Sequence, residues 1–161
     1  MSEESFTVKH SQVEMTQLVL PNDANRLGNL LGGQLMHWID LAAAIAASRH
    51  SKRICVTASV DDLNFIHPIK AGDVVILRAS VNRVFRTSME VGVKVLSENL
   101  LTGEVQHANS AYLTFVSIDN DGSPVEAPRL RPESADEQRR FADALRRREE
   151  RLRRRSNIIK E

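Results

Sequence analysis

A chain of 161 residues, 42% hydrophobic and 27% charged, has the size and balance of a single soluble globular domain. Its one cysteine excludes an internal disulfide and a cysteine-built metal site. No apolar run reaches the roughly 18 residues of a membrane span, and the opening MSEESFTVKH lacks the basic-then-apolar order of a secretory signal, so a cytoplasmic protein is expected.

Taken in chain order, VEMTQLVL (13–20) alternates and is rich in β-formers, which predicts a strand stopping at Pro21. PNDANRLGN is dense in turn residues and reads as a loop. From Gly33 to about His50 the residues Leu35, Met36, Ile39, Ala42, Ala43, Ile45 and Ala46 predict a helix apolar over more than half its circumference. Such a helix has to be covered on most sides. Four β-branched runs follow, 53–66, 72–85, 88–98 and 104–119, and the connections between them are short enough for antiparallel neighbours. One buried helix and about five antiparallel strands are most simply packed by curling the sheet around the helix, an α+β arrangement. DNDG ends the last strand, and a proline-punctuated linker leads to a charged helix with Ser134 as N-cap and Glu137 as its capping-box partner. Residues 1–128 are thus read as the main domain, and 129–161 as linker and arginine-rich helix. The net charge of +1 hides an asymmetry, because residues 129–161 hold 12 Lys/Arg against 7 Asp/Glu and the remainder is acidic.

Asp40 stands out, lying between Trp38, Ile39 and Leu41 with an alanine-rich run behind it. A carboxylate on a largely wrapped helix loses solvation unless it faces a cleft, a partner or a subunit boundary. It is either a general base or nucleophile, or simply the partner of Arg26 or His37. Gly32 and Gly33 begin the helix without side chains, so a ligand can approach bare N–H groups where the helix dipole favours negative charge. An oxyanion site little more than one helical turn from a carboxylate suits acyl transfer. The five histidines show no paired metal-ligand spacing and read as structural or surface residues. Cys55 and Trp38 read as packing residues.

LVLPNDANRLGNLLGGQLMHWIDLAAAIAASRH, followed by VTASVDDLNFIHPIKAGDVV and RTSMEVGVKV, resembles the hotdog-fold acyl-CoA thioesterases, in particular the YciA and brain acyl-CoA hydrolase group. The resemblance covers about residues 13–128. It implies a hotdog fold, a long helix wrapped by a curved sheet, self-associated as dimers and as a trimer of dimers. It implies hydrolysis of acyl-CoA to fatty acid and coenzyme A, with Asp40 as general base or nucleophile, Asn29 completing the site from the partner subunit and Gly33 N–H polarising the carbonyl. Neither a metal nor an organic cofactor is implied, since coenzyme A is part of the substrate and leaves as a stable thiolate. For the coenzyme A moiety the family's habit favours the turn residues Arg86, Thr87 and Ser88, and Gly32, Arg53, Thr57 and Ser59 are further candidates, the last two as alternating positions on one strand face. Leu30 and Leu31 suggest a tunnel for a medium or long acyl chain. Two other functions stay open: an acyl-CoA-binding regulator without turnover, and nucleic-acid binding through the nine arginines of residues 139–155. A hotdog dehydratase would share the fold but has a His-centred site not found here.

Overall fold

The computed structural model describes residues 4–61 and 63–160. Strand β1 (Ser5–Thr7) and a 3-10 turn precede β2 (Val13–Leu18); a second 3-10 turn at Pro21–Asp23 opens the loop to helix α1 (Gly32–Ser51). Strands β3 (Ile54–Val60), β4 (Val74–Val84), β5 (Ser88–Glu98) and β6 (Val105–Ile118) follow, then β7 (Arg129–Arg131) and helix α2 (Ala135–Ile159). Five strands form one antiparallel sheet in the order β2-β4-β5-β6-β3, so β2 and β3 are its edges.

The inner face of the sheet carries Val75, Leu77, Ala79 and Val81 of β4, Met89, Val91, Val93 and Val95 of β5, and Ala111, Leu113 and Phe115 of β6. These alternate with polar residues at a period of two, as a half-buried sheet requires. Against them α1 sets Leu35, Trp38, Ile39, Ala42, Ala43, Ala46 and Ala47, all buried. The four alanines combine high helix propensity with little bulk, which lets the helix axis lie close to the sheet. Lys52 ends α1 in the left-handed region with φ 58°, its N–H bonded to Ser48 O.

α2 lies on the outer face, capped at Ser134 and Glu137 in the reciprocal box the sequence predicts. Three differences from the sequence reading stand out. β3 stops at Val60, short of the predicted 66; its register shifts at a bulge between Thr57 and Ser59 and the ladder then runs on to Val60. The stretch read as linker contains β7, which pairs in parallel with β1. Met36 and Ile45, expected in the core, are each 42% exposed, on the two opposite borders of the side of α1 that also carries the exposed Leu41.

Candidate active site

Asp40, the ninth residue of α1, is half-buried on the flank of the helix. Its Oδ1 accepts a 2.7 Å hydrogen bond from the Thr57 hydroxyl on β3. That length is typical of a hydroxyl donating to a charged carboxylate, and it fixes both side-chain rotamers. The register of β3 sets Thr57 inward, and the bulge that follows turns Ser59 the other way. Thr57 is paired with the inward-facing Phe115, whereas Ser59 is paired with Thr114 on the opposite face. The extra residue shifts the side-chain phase by one, so Thr57 and Ser59 do not share a face as their alternation suggested. Ser59 Oγ is instead buried toward α2 with no hydrogen-bond partner among the described residues.

The start of α1 supplies donors. Its N-cap, Leu31, offers no side-chain cap, while Leu31 N–H bonds Asp23 O and Leu35 N–H closes the first turn onto Leu31 O. The amides of Gly32, Gly33 and Gln34 are therefore the unmatched first-turn donors. A side chain at Gly33 would meet nothing within 4 Å, whereas one at Gly32 would meet the Phe65 ring at 3.3 Å. Gly33 thus presents an open amide, and Gly32 is glycine because Phe65 lies over it. Seven residues separate Gly33 from Asp40, which is about 10 Å of helical rise and not little more than one turn. Within one chain the amide and the carboxylate do not reach the same carbonyl.

Asn29 contributes its backbone to the loop before α1. Its N–H donates to Asn25 Oδ1 at 3.1 Å and its carbonyl accepts from Asn25 N–H at 2.8 Å, around Gly28 at φ +78°. Asn25 Oδ1 also accepts from Leu27 N–H at 2.9 Å. Since both neighbours are N–H donors, the oxygen must face them, and the Asn25 amide NH2 is turned away from the loop. Asn25 was passed over in the sequence as one turn residue among many; the signal for it is an Asx-turn acceptor followed by a left-handed glycine.

Register places the other candidates. Ser88 lies opposite Val116, itself opposite Val56, so the β4–β5 turn with Arg86, Thr87 and Ser88 sits at the Thr57 end of the sheet, about 10 Å across two strand spacings. The Arg86 guanidinium is 3.8 Å from Glu126 and largely exposed. Arg53 is exposed at the start of β3, at that same end, and its N–H is tied to Ser51 Oγ. Among the described residues no group of three or more His, Cys, Asp or Glu side chains could hold a metal, and no helix is long and apolar enough to cross a membrane. Burial pushes the Cys55 thiol up, although Ser51 and Ser48 pull the other way, so it is kept as the uncharged thiol of a packing residue.

Residues 27–104 match the thioesterase superfamily. The uncharacterized acyl-CoA thioester hydrolase YkhA of Bacillus subtilis is 46% identical over 129 residues, 80% of this chain and 75% of that protein. The crystal structure of an acyl-CoA hydrolase from Bacillus cereus superposes with a TM-score of 0.92 at 39% identity, covering 98% of this chain and 96% of that one. An apo-hexameric acyl-CoA thioesterase superposes at 0.91 with 40% identity, covering 94% and 97%. An acyl-CoA hydrolase from Staphylococcus aureus, solved in complex with butyryl coenzyme A and coenzyme A, superposes at 0.90 with 34% identity, covering 97% and 95%. That enzyme has also been solved with an aspartate, a threonine or an asparagine replaced by alanine. Sequence and fold agree: this chain belongs to the thioesterase superfamily, as a hotdog-fold acyl-CoA thioesterase.

Proposed function

We propose that the chain hydrolyses medium- to long-chain acyl-CoA in a site shared by two subunits, Asp40 and Thr57 coming from one and the loop and helix start at 25–33 from the other. The observation that carries this is the Thr57–Asp40 hydrogen bond, which holds a carboxylate about 10 Å along the helix from its own chain's open amides, too far for both to meet one carbonyl. A second copy supplies the missing half. The surface that would receive it includes the open edge of strand β3, where Ile54, Val56 and Val60 are 61%, 44% and 41% exposed. An open, apolar strand edge is a template for pairing with another chain. The hexameric relatives are in keeping with further assembly of such dimers into a trimer of dimers.

In this reading Asp40 takes a proton from water as the water oxygen adds to the thioester carbonyl, or the carboxylate itself adds to give an anhydride that water then opens. Thr57 holds the carboxylate in line. Gly33 N–H of the other subunit receives the developing oxyanion, helped by the dipole of α1. Asn29 was the expected side-chain donor. The intervals between the three positions altered in the Staphylococcus aureus enzyme, counted from Asp40, fall on Thr57 and Asn25. Together with the outward-facing amide of Asn25, this supports Asn25 as the donor that orients water or oxyanion, with Asn29 fixing its loop. Collapse breaks the C–S bond, and the coenzyme A thiolate leaves toward Arg86, Thr87, Ser88 and Arg53, whose charges suit its phosphates. Met36, one turn before Asp40 on the same face, and the exposed Leu31 and Phe65 offer an apolar bed for a medium or long acyl chain. Arg147 and Arg151 of the tail are turned onto the sheet, which leaves the nucleic-acid reading less support.

Thiol release from acetyl- to palmitoyl-CoA tests this directly. Asp40→Asn should lower kcat by about 10²- to 10⁴-fold, the range for loss of a positioned base. Mixing Asp40→Asn with Asn25→Ala subunits should restore up to about a quarter of wild-type turnover, through random pairing across a two-fold interface. A folded wild type that binds acyl-CoA without releasing thiol would instead be the regulator, and a mixture as inactive as its components would put the whole site within one chain.

A further inference from the structure

The arginine-rich helix is the largest feature that the hydrolytic reading leaves without a role. It runs across the outer face of the sheet, and arginines hold it at each strand in turn. At β4, Arg83 Nη1 donates to Phe141 O at 3.1 Å with its guanidinium 4.0 Å over the Phe141 ring, and Arg148 lies 4.5 Å over Phe85. At β5, Arg147 grips the buried Glu90 at 2.7 Å. At β6, the same guanidinium stacks 3.6 Å over Tyr112. The last hold is Arg151 Nη1, 3.4 Å from both oxygens of Asp61, the residue that directly follows β3.

β3 is an edge strand with an interrupted ladder. Among the described residues its one strand neighbour is β6, the register shifts at the bulge at 57–59, and beyond the bulge Asp61 N–H makes a 2.9 Å bond to Tyr112 O. Arg147 and Arg151 bracket this end, one on Tyr112 and the other on Asp61. Burial pushes the Asp61 carboxyl up, and the Arg151 charge beside it works in the opposite direction. Four residues before Asp61 stands Thr57, whose hydroxyl must hold its distance to Asp40.

We propose that α2 is a strap that positions the active site, with Arg151 pinning Asp61 so that the bulged end of edge strand β3 keeps Thr57 on Asp40. Arg151 and Asp61 are positioning residues; neither touches substrate. The inference rests on the catalytic roles given above to Asp40 and Thr57, and its geometry can also be read without turnover.

The test is a double-mutant cycle on thiol release at saturating and limiting acyl-CoA, with Arg151→Gln and Thr57→Val alone and combined. Arg151→Gln should lower kcat by between about ten- and a hundredfold, the scale of a small misplacement caused at a distance, with KM little changed. In the Thr57→Val background the same substitution should cost less than twofold. Arg151→Lys, which keeps the charge, should recover most of the loss. In parallel, amide hydrogen exchange of the folded Arg151→Gln protein should speed up over 55–61 and stay unchanged in α1. Equal losses in both backgrounds, or a loss that Arg151→Lys does not recover, would overturn the proposal. Unchanged exchange over 55–61 would overturn it whether or not the protein turns over substrate, whereas faster exchange in Arg151→Gln, beside a wild type that releases no thiol, would uphold the strap and sink only the hydrolytic reading. If Arg151→Gln fails to fold, the neutral pair Asp61→Asn with Arg151→Gln takes its place in the cycle.

Discussion

The buried pair Glu90–Arg147 gives the sharpest energetic prediction. The Glu90 side chain is 1% exposed and that of Arg147 16%. Arg147 donates to the carboxylate from Nη2 at 2.7 Å and Nε at 3.1 Å, Asn82 Nδ2 adds a third bond at 3.0 Å, and the guanidinium stacks on Tyr112. Arg147→Met keeps much of the aliphatic bulk but leaves a carboxylate in the interior with only Asn82 beside it. Removing one partner of a buried pair typically costs about 3–5 kcal/mol, because the stranded charge loses its compensation without regaining water. For a domain of this size each kcal/mol lowers Tm by about 2–4 °C, so a fall of about 6–20 °C is expected. Replacing both residues, Glu90→Leu with Arg147→Met, removes the stranded charge and should be milder than Arg147→Met alone. Thermal and urea unfolding followed by circular dichroism, at one protomer concentration since assembly contributes to stability, would measure Arg147→Met, Glu90→Leu and the double variant. If Arg147→Met costs under 1 kcal/mol, or if the double variant is the sum of its singles, the carboxylate is not held as argued.

Two further outcomes follow from burial and exposure. His50 has no exposed surface and donates Nε2–H to Pro128 O at 2.7 Å, leaving Nδ1 unprotonated and without a partner among the described residues. Burial pushes its pKa down, against the Pro128 bond that raises it and with His10 adding to the fall. The unfolded chain therefore binds the proton more readily, so this contribution is complete above the ordinary value of 6.5 and is lost as pH falls from there toward the folded value. Unfolding free energy measured from pH 7.5 to 5 should drop with a slope of at most about 1.4 kcal/mol per pH unit from this group, and His50→Gln should flatten it. On β3, Val56→Lys places a charge on the open apolar edge; sedimentation should show dissociated subunits with native circular dichroism and lost thioesterase activity, and a dimer of unchanged affinity would move the interface elsewhere.

What the sequence revealed was whatever leaves a periodic or paired mark. β5 runs over 88–98 as read, since Met89, Val91, Val93 and Val95 alternate between clear turn residues. The capping box at Ser134 and Glu137 was legible because it consists of two residue types at a fixed interval. The bulge at Thr57–Ser59 was not legible, since an inserted residue changes the phase of a strand without changing its composition. The shift parts Ser59 from Thr57, which faces the Asp40 carboxylate. Three-residue strands such as β1 and β7 are too short to show a period. Met36 and Ile45 were read as core because hydrophobic spacing reports that a residue is to be covered, and says nothing of which chain covers it. The arginines of α2 carried an ambiguity of another kind, because the same residue type serves a solvated face, a phosphate or an aromatic ring, and only the partner decides.

The alanines of α1 join the stability of this fold to its chemistry. Ala42, Ala43, Ala46 and Ala47 are fully buried, and in a close-packed interior a larger side chain at any of them has to lift the helix or displace the strands beneath it. Asp40 stands just before this run, on the flank where the covered face of the helix gives way to the open one. Its bond to Thr57 spans the gap between helix and sheet, so the 2.7 Å separation depends on the helix resting as low as the alanines allow. The carboxylate is thus held by the depth of α1 on the sheet and by the strand register that sets Thr57 inward, and in the proposed strap also from behind, by the arginines that bind α2 across the strands. A fold whose core had been filled with leucine in place of alanine could still bury its helix, but the helix would ride higher and the hydroxyl of Thr57 would fall short of the carboxylate.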